Sequence, residues 1–127
     1  MIKFKDDRVK TEWIFSSELS TRVKLITEIL SGFCQLNFAK DITLTHILRT
    51  QTEQDEFYAK DAVYKKEPFK SVHQFGRGVD IRSRDFNQAE IKRIVDFMNG
   101  IDYSKDKKTC TYHDVGQGVH IHLQSRI

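Results

Sequence analysis

The residues with the clearest chemical potential are histidines and one aspartate in the second half of the chain. His73 and Asp80 lie seven positions apart in the segment S-V-H-Q-F-G-R-G-V-D, and an H-x-H pair, His120 and His122, follows near the end. These side chains can supply three metal ligands and one spare imidazole. Three protein ligands leave a tetrahedral zinc ion with an open position, which is typical of a catalytic rather than a structural site. The pattern therefore favours a zinc hydrolase.

The H-x-H pair lies in a segment with the alternation of a β-strand. Val119, Ile121 and Leu123 alternate with His120 and His122, which predicts a core face and an opposite face carrying two imidazoles. At about 3.3 Å per residue, the two imidazoles are roughly 7 Å apart along the strand. An isolated H-x-H pair is more often a solvated polar face on an edge strand than a metal site. The segment around His73 shifts that balance toward a metal.

Asp80 is the second reason to expect a metal. It has apolar neighbours on either side in a predicted strand, so its charge needs a partner. A metal ion would satisfy the carboxylate. The alternative is an ordinary salt bridge to Arg77, Arg82 or Arg84. The nearby His73 favours the metal over the salt bridge.

The pattern S-x-H-x-x-G-x-x-x-D, followed downstream by H-x-H, resembles the zinc D-Ala-D-Ala carboxypeptidase and murein endopeptidase superfamily. The same fold underlies the Hedgehog amino-terminal signalling domain. The resemblance covers about residues 42–124 and is most specific in residues 71–80. The segment T-H-I-L-R-T, residues 45–50, also looks like the family's strand that ends in a substrate-contacting arginine. The helical N-terminal part is only loosely similar.

The resemblance implies roles for six side chains. It implies a zinc ion bound by three of them, namely His73, Asp80 and His122. It also implies that His120 acts as general base or as a hydrogen-bond donor to the transition state. Arg49 and Ser71 would hold the substrate carbonyl or carboxylate.

One position departs from the family pattern. Many members carry an acid three residues before the terminal zinc histidine, where it shuttles protons. Here that position is Val119, and the corresponding residue before the first histidine of the pair is Gln117. His113 and His120 are the candidate replacements, and Asp114 is the nearest carboxylate that could substitute. The candidates for the general base are therefore His120, His113 and Asp114, since position 119 carries no acid.

The implied activity is hydrolysis of peptidoglycan peptides that contain D-amino acids, through a zinc-activated water. The small size and the lack of a separate wall-binding domain resemble phage- or prophage-encoded members, which act in lysis or within a virion. Two other functions remain open. One is a non-catalytic zinc-bearing binding or virion-structural module of the same fold, which the missing acid favours. The other is a phage protein that binds nucleic acid through its basic surface.

Bulk properties limit these possibilities. The chain has 127 residues, with 39% apolar and 31% charged, which predicts one globular domain with a helical part at about 1–40 and a metal-binding core at about 42–124. No apolar run approaches the ~20 residues that cross a bilayer, and residues 1–7 lack the apolar core of a secretion signal. We therefore expect cytoplasmic synthesis without membrane insertion. The net charge of +3 is too mild and scattered to predict nucleic-acid binding, and we expect a monomer.

The predicted elements give an α+β fold with N-terminal helices packed on a small, mostly antiparallel sheet. Helices are predicted over 19–33 with an end near Gly32, around 13–15, over 51–58, and from Asn87 to a stop at Asn99-Gly100. Strands are predicted over 42–48, 79–82, 109–113 and 119–124, with a loop over 59–70. His46 is interpreted as a core or sheet-edge histidine on the face of Leu44 and Leu48. Cys34 and Cys110 are interpreted as buried thiols without a functional role.

Overall fold

The computed structural model describes residues 1–49, 51–57, 59–61, 73, 76–101, 108–114 and 118–125. Along these ranges the elements are β1 (Ile2–Phe4), α1 (Asp7–Phe15), α2 (Thr21–Phe38), β2 (Ile42–His46), α3 (Gln51–Phe57), β3 (Gly78–Arg82), α4 (Gln88–Ile101), β4 (Cys110–Asp114) and β5 (Val119–Gln124). The predicted α+β class is confirmed. Most of the predicted loop over 59–70 lies outside the described residues. No helix in the described ranges is long and apolar enough to cross a bilayer.

The strands form one mixed sheet in the order β1-β2-β3-β5-β4. β1 runs parallel to β2, and the other neighbouring pairs are antiparallel, as predicted for most of the sheet. β1 was not predicted, because three residues are too few to show an alternating pattern. The H-x-H strand, β5, lies between β3 and β4, so the alternative of an edge strand is wrong.

The hydrophobic core lies between one face of this sheet and the helices α2 and α4. The three inner strands of the sheet contribute six fully buried side chains, namely Ile42, Leu44, Val79, Ile81, Ile121 and Leu123. The helices contribute the apolar stripes predicted from their spacing, with buried members Val23, Ile26, Leu30, Ile91, Ile94 and Met98. Burial of each such side chain stabilises the fold by roughly 1.5–3 kcal/mol before entropy is subtracted. Because a slip by one residue would turn these side chains outward, the core also fixes the strand register.

Helix α4 begins as predicted but ends later. Asn87 and Glu90 form a reciprocal capping box, in which each side chain accepts a hydrogen bond from the other residue's backbone N–H at 2.9 Å. The predicted stop at Asn99-Gly100 is wrong, since the helix continues to Ile101. The Asn99 amide is used elsewhere: it exchanges two hydrogen bonds, of 2.9 and 3.0 Å, with the backbone of Cys110. This asparagine fastens the end of α4 to β4.

Helix α2 is longer than its sequence pattern predicted. The predicted end near Gly32 is wrong, because the helix continues to Phe38 and ends where Ala39 adopts a left-handed conformation, with φ 53°. Cys34, in the extra turns, is fully buried and continues the core-facing stripe. Burial of this face outweighs the cost of one helical glycine, about 1 kcal/mol.

Gly76 is the position where the fold most needs a glycine. Its φ is +65°, which side chains with a Cβ rarely adopt, and an added Cβ would overlap the backbone carbonyl of Glu18. Its own carbonyl accepts a 2.7 Å hydrogen bond from the backbone N–H of Ser20, and its N–H donates to the carbonyl of His73. This glycine therefore joins the segment that carries His73 to the start of α2.

We expect Gly76→Ala to lower the free energy of unfolding by more than about 1 kcal/mol, because it adds both backbone strain and a steric overlap. Denaturant titration measures the change. Gly32→Ala is the matched control: that glycine is helical with open space around it, so alanine should raise stability by about 0.5–1 kcal/mol. Equal effects of the two substitutions would contradict the structural role of Gly76.

The two cysteines are free, buried thiols, as interpreted from the sequence. Burial raises the pKa of both Cys34 and Cys110 to about 12. At pH 8 about one thiol in ten thousand is then ionised, and the thiolate is the reactive form. Iodoacetamide should therefore leave the native protein unmodified and label both residues only after unfolding, which intact-mass spectrometry measures. Rapid labelling of native protein would contradict this burial.

Candidate metal centre

The sheet face opposite the core carries the residues singled out by their chemistry. Antiparallel register brings them into two rows across neighbouring strands. The first row contains His46, Asp80 and His122, and the second contains Arg82, His120 and His113. The alternation that buries the apolar residues of β3 and β5 therefore gathers the polar residues of the same strands.

Asp80 lies at the centre of this group and contacts three imidazoles. Its Oδ1 is 2.8 Å from Nδ1 of His122 and 3.3 Å from Nε2 of His120, while its Oδ2 is 3.3 Å from Nε2 of His73. Asp80, His73 and His122 are all buried. The predicted alternative, an arginine salt bridge to Asp80, is not among the interactions found in the described residues.

Hydrogen bonds on the far side of two imidazoles fix their tautomers. Nδ1 of His73 is 2.8 Å from the carbonyl oxygen of Ile47, which can only accept, so this nitrogen carries the proton. Nε2 of His122 is 3.2 Å from Oε1 of Gln124. The Gln124 amide is held by donating to the carbonyl of Lys108 at 2.9 Å, so its oxygen accepts from His122. Each imidazole therefore turns its remaining nitrogen toward Asp80.

In their neutral forms, these two imidazoles would place two lone pairs against one buried carboxylate. Burial would raise the pKa of Asp80, but the charge and hydrogen bonds that His73 and His122 supply when protonated outweigh burial and hold that pKa well below its usual range. Lone pairs and a carboxylate that converge in this way repel one another unless a positive charge lies among them. That charge is either an additional proton on an imidazole or a metal ion.

The same three residues meet the geometric requirement for a metal site. One ligand atom from each of His73, Asp80 and His122 lies within 4.8 Å of the others. Protein carbonyl or amide partners on the outer nitrogens of ligand histidines are the usual companions of such sites. The structure thus brings together the three predicted ligands in a buried cluster that could hold a metal ion.

His120 and His113 lie beside this cluster. The Nδ1 of His120 is 3.2 Å from the carbonyl oxygen of Gly118, so it donates there, and its Nε2 is 3.3 Å from Oδ1 of Asp80. The ring of His113 is 4.8 Å from that of His120 and 5.4 Å from that of His122. Burial lowers the pKa of His113, and the neighbouring His122 lowers it further. Both proposed replacements for the missing acid are therefore next to the site.

A groove of about 570 Å³ opens beside Asp80 and His120. Four basic residues line it, namely Lys5, Arg49, Arg82 and Arg84, together with the acids Glu53 and Glu56. Arg49 is nearly buried, and its Nε donates to Nε2 of His46 at 3.3 Å, while its backbone N–H donates to the carbonyl of His73. The predicted substrate-binding arginine is thus held at the wall of a groove beside the cluster.

Two other predicted site residues fall outside what the structure describes. Ser71 is not among the described residues. For Asp114, the backbone pairs with Val119 in the β4–β5 ladder, and its side chain lies outside the described part. Their predicted roles in substrate binding and proton transfer stay predictions.

The interpretation of His46 as a core-facing histidine is wrong. Leu44 pairs with Ile81, but His46 pairs with Asp80, so the register shifts at Thr45 and a β-bulge inserts one extra residue. The bulge turns His46 to the polar face, where its ring lies 4.7 Å from that of His73. Burial, with the charge of His73 acting in the same direction, lowers the pKa of His46 to about 4. Sequence alternation could not reveal this residue, because alternation assumes an unbroken ladder.

We expect His73→Ala, Asp80→Ala and His122→Ala each to reduce the tightly bound metal that survives purification by more than tenfold, because each removes a ligand. Elemental analysis of purified protein measures the content. Removal of metal with a chelator should lower the melting temperature of the parent chain and leave that of the three variants nearly unchanged. His46→Gln is the matched control, because its ring contacts His73 without belonging to the cluster. Loss of metal in the control alone would contradict the assignment.

Comparison with known proteins found no matching family model, no similar curated protein and no similar solved structure. The resemblance to the carboxypeptidase and endopeptidase superfamily therefore rests on the motif residues of this chain alone.

Proposed function

We propose that this chain is a zinc metallopeptidase that hydrolyses D-amino-acid-containing bonds of peptidoglycan peptides, with a fold like that of the Hedgehog and D-Ala-D-Ala carboxypeptidase group. The observation that carries the proposal is the buried convergence of His73, Asp80 and His122 beside an open groove. Structural metal sites have four protein ligands and no substrate access. Here one of the three candidate ligands, Asp80, lines an open groove, which is the access expected of a catalytic site.

The donor set favours zinc over the harder cations. Two imidazole nitrogens and one carboxylate oxygen suit Zn²⁺, whereas Mg²⁺ and Ca²⁺ prefer oxygen ligands alone. The hydrogen bonds from His73 to Ile47 and from His122 to Gln124 occupy the outer nitrogens, so the inner nitrogen of each ring is the one that a metal would take. When bound, zinc would polarise a peptide carbonyl and lower the pKa of a water molecule to about 7.

His120 is the proposed general base. Its Nδ1 donates to the carbonyl of Gly118, so the neutral ring would present its lone pair at Nε2, which faces Asp80, and His120 itself lines the groove. From there it can take a proton from the attacking water and return it to the leaving amine. The ring of His113 lies against that of His120. His113 would therefore help to hold the His120 ring in place and would not contact the substrate. An acid at position 119 or 117 is then unnecessary.

The groove supports a peptide substrate that carries carboxylates. Arg49 would hold the carbonyl or terminal carboxylate, as the resemblance implies, because its side chain is fixed at the groove wall by His46. Arg82 and Arg84 extend the positive charge along the same groove. Stem peptides of peptidoglycan carry several free carboxylates, which could pair with these arginines. Association with phage lysis or virions remains a proposal from the resemblance alone.

The decisive experiment incubates zinc-loaded protein with purified murein and with defined muropeptides. We expect new amine ends that disappear with chelator and return with zinc, detected by amine labelling and mass spectrometry. His120→Ala should keep its zinc and lower turnover by about 10²- to 10⁴-fold, since only the proton transfer is lost. If zinc-loaded protein releases no amine from any of these substrates, the non-catalytic binding module becomes the better explanation.

Arg49→Ala tests substrate binding separately. We expect it to retain zinc and to lower kcat/KM by at least about tenfold, because one charged contact to the substrate is removed. Arg93→Ala is the matched control: this arginine lies on α4, bonded to Asn37 and away from the groove, so its loss should leave kcat/KM unchanged. Equal losses in both variants would argue against a specific role for Arg49.

A further inference from the structure

We propose that His113, His120 and His122 form a second divalent-cation site that overlaps the first at His122. One ring nitrogen from each of the three lies within 4.8 Å of the others. The site takes a transition-metal ion that prefers imidazole, with Zn²⁺ as the relevant case. This set shares only His122 with the first. His113 and His120 take the place of His73 and Asp80.

Strand pairing, rather than a loop, builds this second group. His113 of β4 and His120 of β5 are direct cross-strand partners, and His122 is two positions further along the same face. Direct partners hold their Cβ atoms about 4.5–5.5 Å apart, a distance at which two imidazoles can share one ion. The ring separations of 4.8 and 5.4 Å from His113 to its two neighbours agree with this placement.

The chemistry of the two groups differs in a way that predicts their order of filling. The first contains a carboxylate, which adds charge attraction for a cation, and its three residues are buried. The second has neutral imidazoles alone, and both His113 and His120 are partly exposed. Three imidazoles select zinc, copper or nickel and discriminate against Mg²⁺ and Ca²⁺. The second site should therefore be weaker, more accessible and more selective for transition metals.

His122 couples the two sites, because one neutral imidazole donates one lone pair. When the first site holds an ion through His122, a second ion is left with His113 and His120 and binds weakly. When the first site is disabled, His122 becomes free to complete the three-histidine site. A further consequence rests on the proposed peptidase function: an ion on His120 occupies the general base, so excess zinc should inhibit turnover.

Calorimetric titration of metal-free protein with Zn²⁺ tests the site directly. The parent chain should bind one equivalent tightly and a second more weakly. His113→Ala should keep the tight equivalent and lose the weak one. In His73→Ala the tight equivalent should disappear while one weaker equivalent remains, and adding His113→Ala should weaken that equivalent by about tenfold or more. Mg²⁺ should bind to none of these weaker sites.

Controls separate this inference from the proposed function. His46→Ala alters the one histidine outside both groups and should keep the weak equivalent. His113→Gln repeats the test with a side chain of similar polarity, and circular dichroism verifies folding of each variant. Unchanged zinc stoichiometry and affinity in both His113 variants, alone and with His73→Ala, would overturn the second site even if the peptidase is active. Absence of peptidase activity with the predicted titrations would overturn the function and leave the site standing.

Discussion

The polar half of this protein depends on the burial of one carboxylate. Asp80 is almost fully shielded from water on a central strand, where an unpaired charge would cost several kcal/mol. Three imidazoles from β5 and from the segment before β3 meet that cost by surrounding it. Removal of the carboxylate would leave those imidazoles without a common partner. Burial of the core side chains fixes the register of the strands. The carboxylate of Asp80 determines which ligands the opposite face of the same strands can bind.

Two members of the cluster, Asp80 and His122, lie on paired inner strands, whereas His73 lies in the segment before β3. Strand backbones that are hydrogen-bonded on both sides move less than loops, so the positions of Asp80 and His122 do not depend on a bound ion. Distant parts of the chain add the outer hydrogen bonds: Ile47 follows β2, Gln124 ends β5, and Lys108 precedes β4. Together they select one tautomer for each buried imidazole. A site prepared in this way binds an ion with little reorganisation, which raises affinity and narrows the choice of metal.

The sequence predicted the secondary structure well where a periodic apolar pattern faces the hydrophobic core. The stripes of α2 and α4 and the strands β3 and β5 follow from spacing that the structure reproduces. The set of His73, Asp80 and His122 was implied by the family resemblance of the motif, and the structure brings these three residues together. Features set by long-range contacts were not predictable. The bulge that redirects His46 depends on how β2 meets β3, and Gln124 looked like any polar strand residue until Lys108 and His122 were placed beside it.

The hydrogen bond between Ser20 and Gly76 connects the start of α2 to the segment that carries His73. Ser20 caps α2 with its side-chain oxygen. Its backbone N–H donates to the carbonyl of Gly76, three residues after His73. Ordering of His73 by a ligand would consequently steady the first turn of the longest helix, on the far side of the sheet from the groove. The rate of amide hydrogen exchange in that turn would then report whether the cluster holds a ligand. Substitutions in the N-terminal helices would change the affinity for a metal even though they alter no candidate ligand.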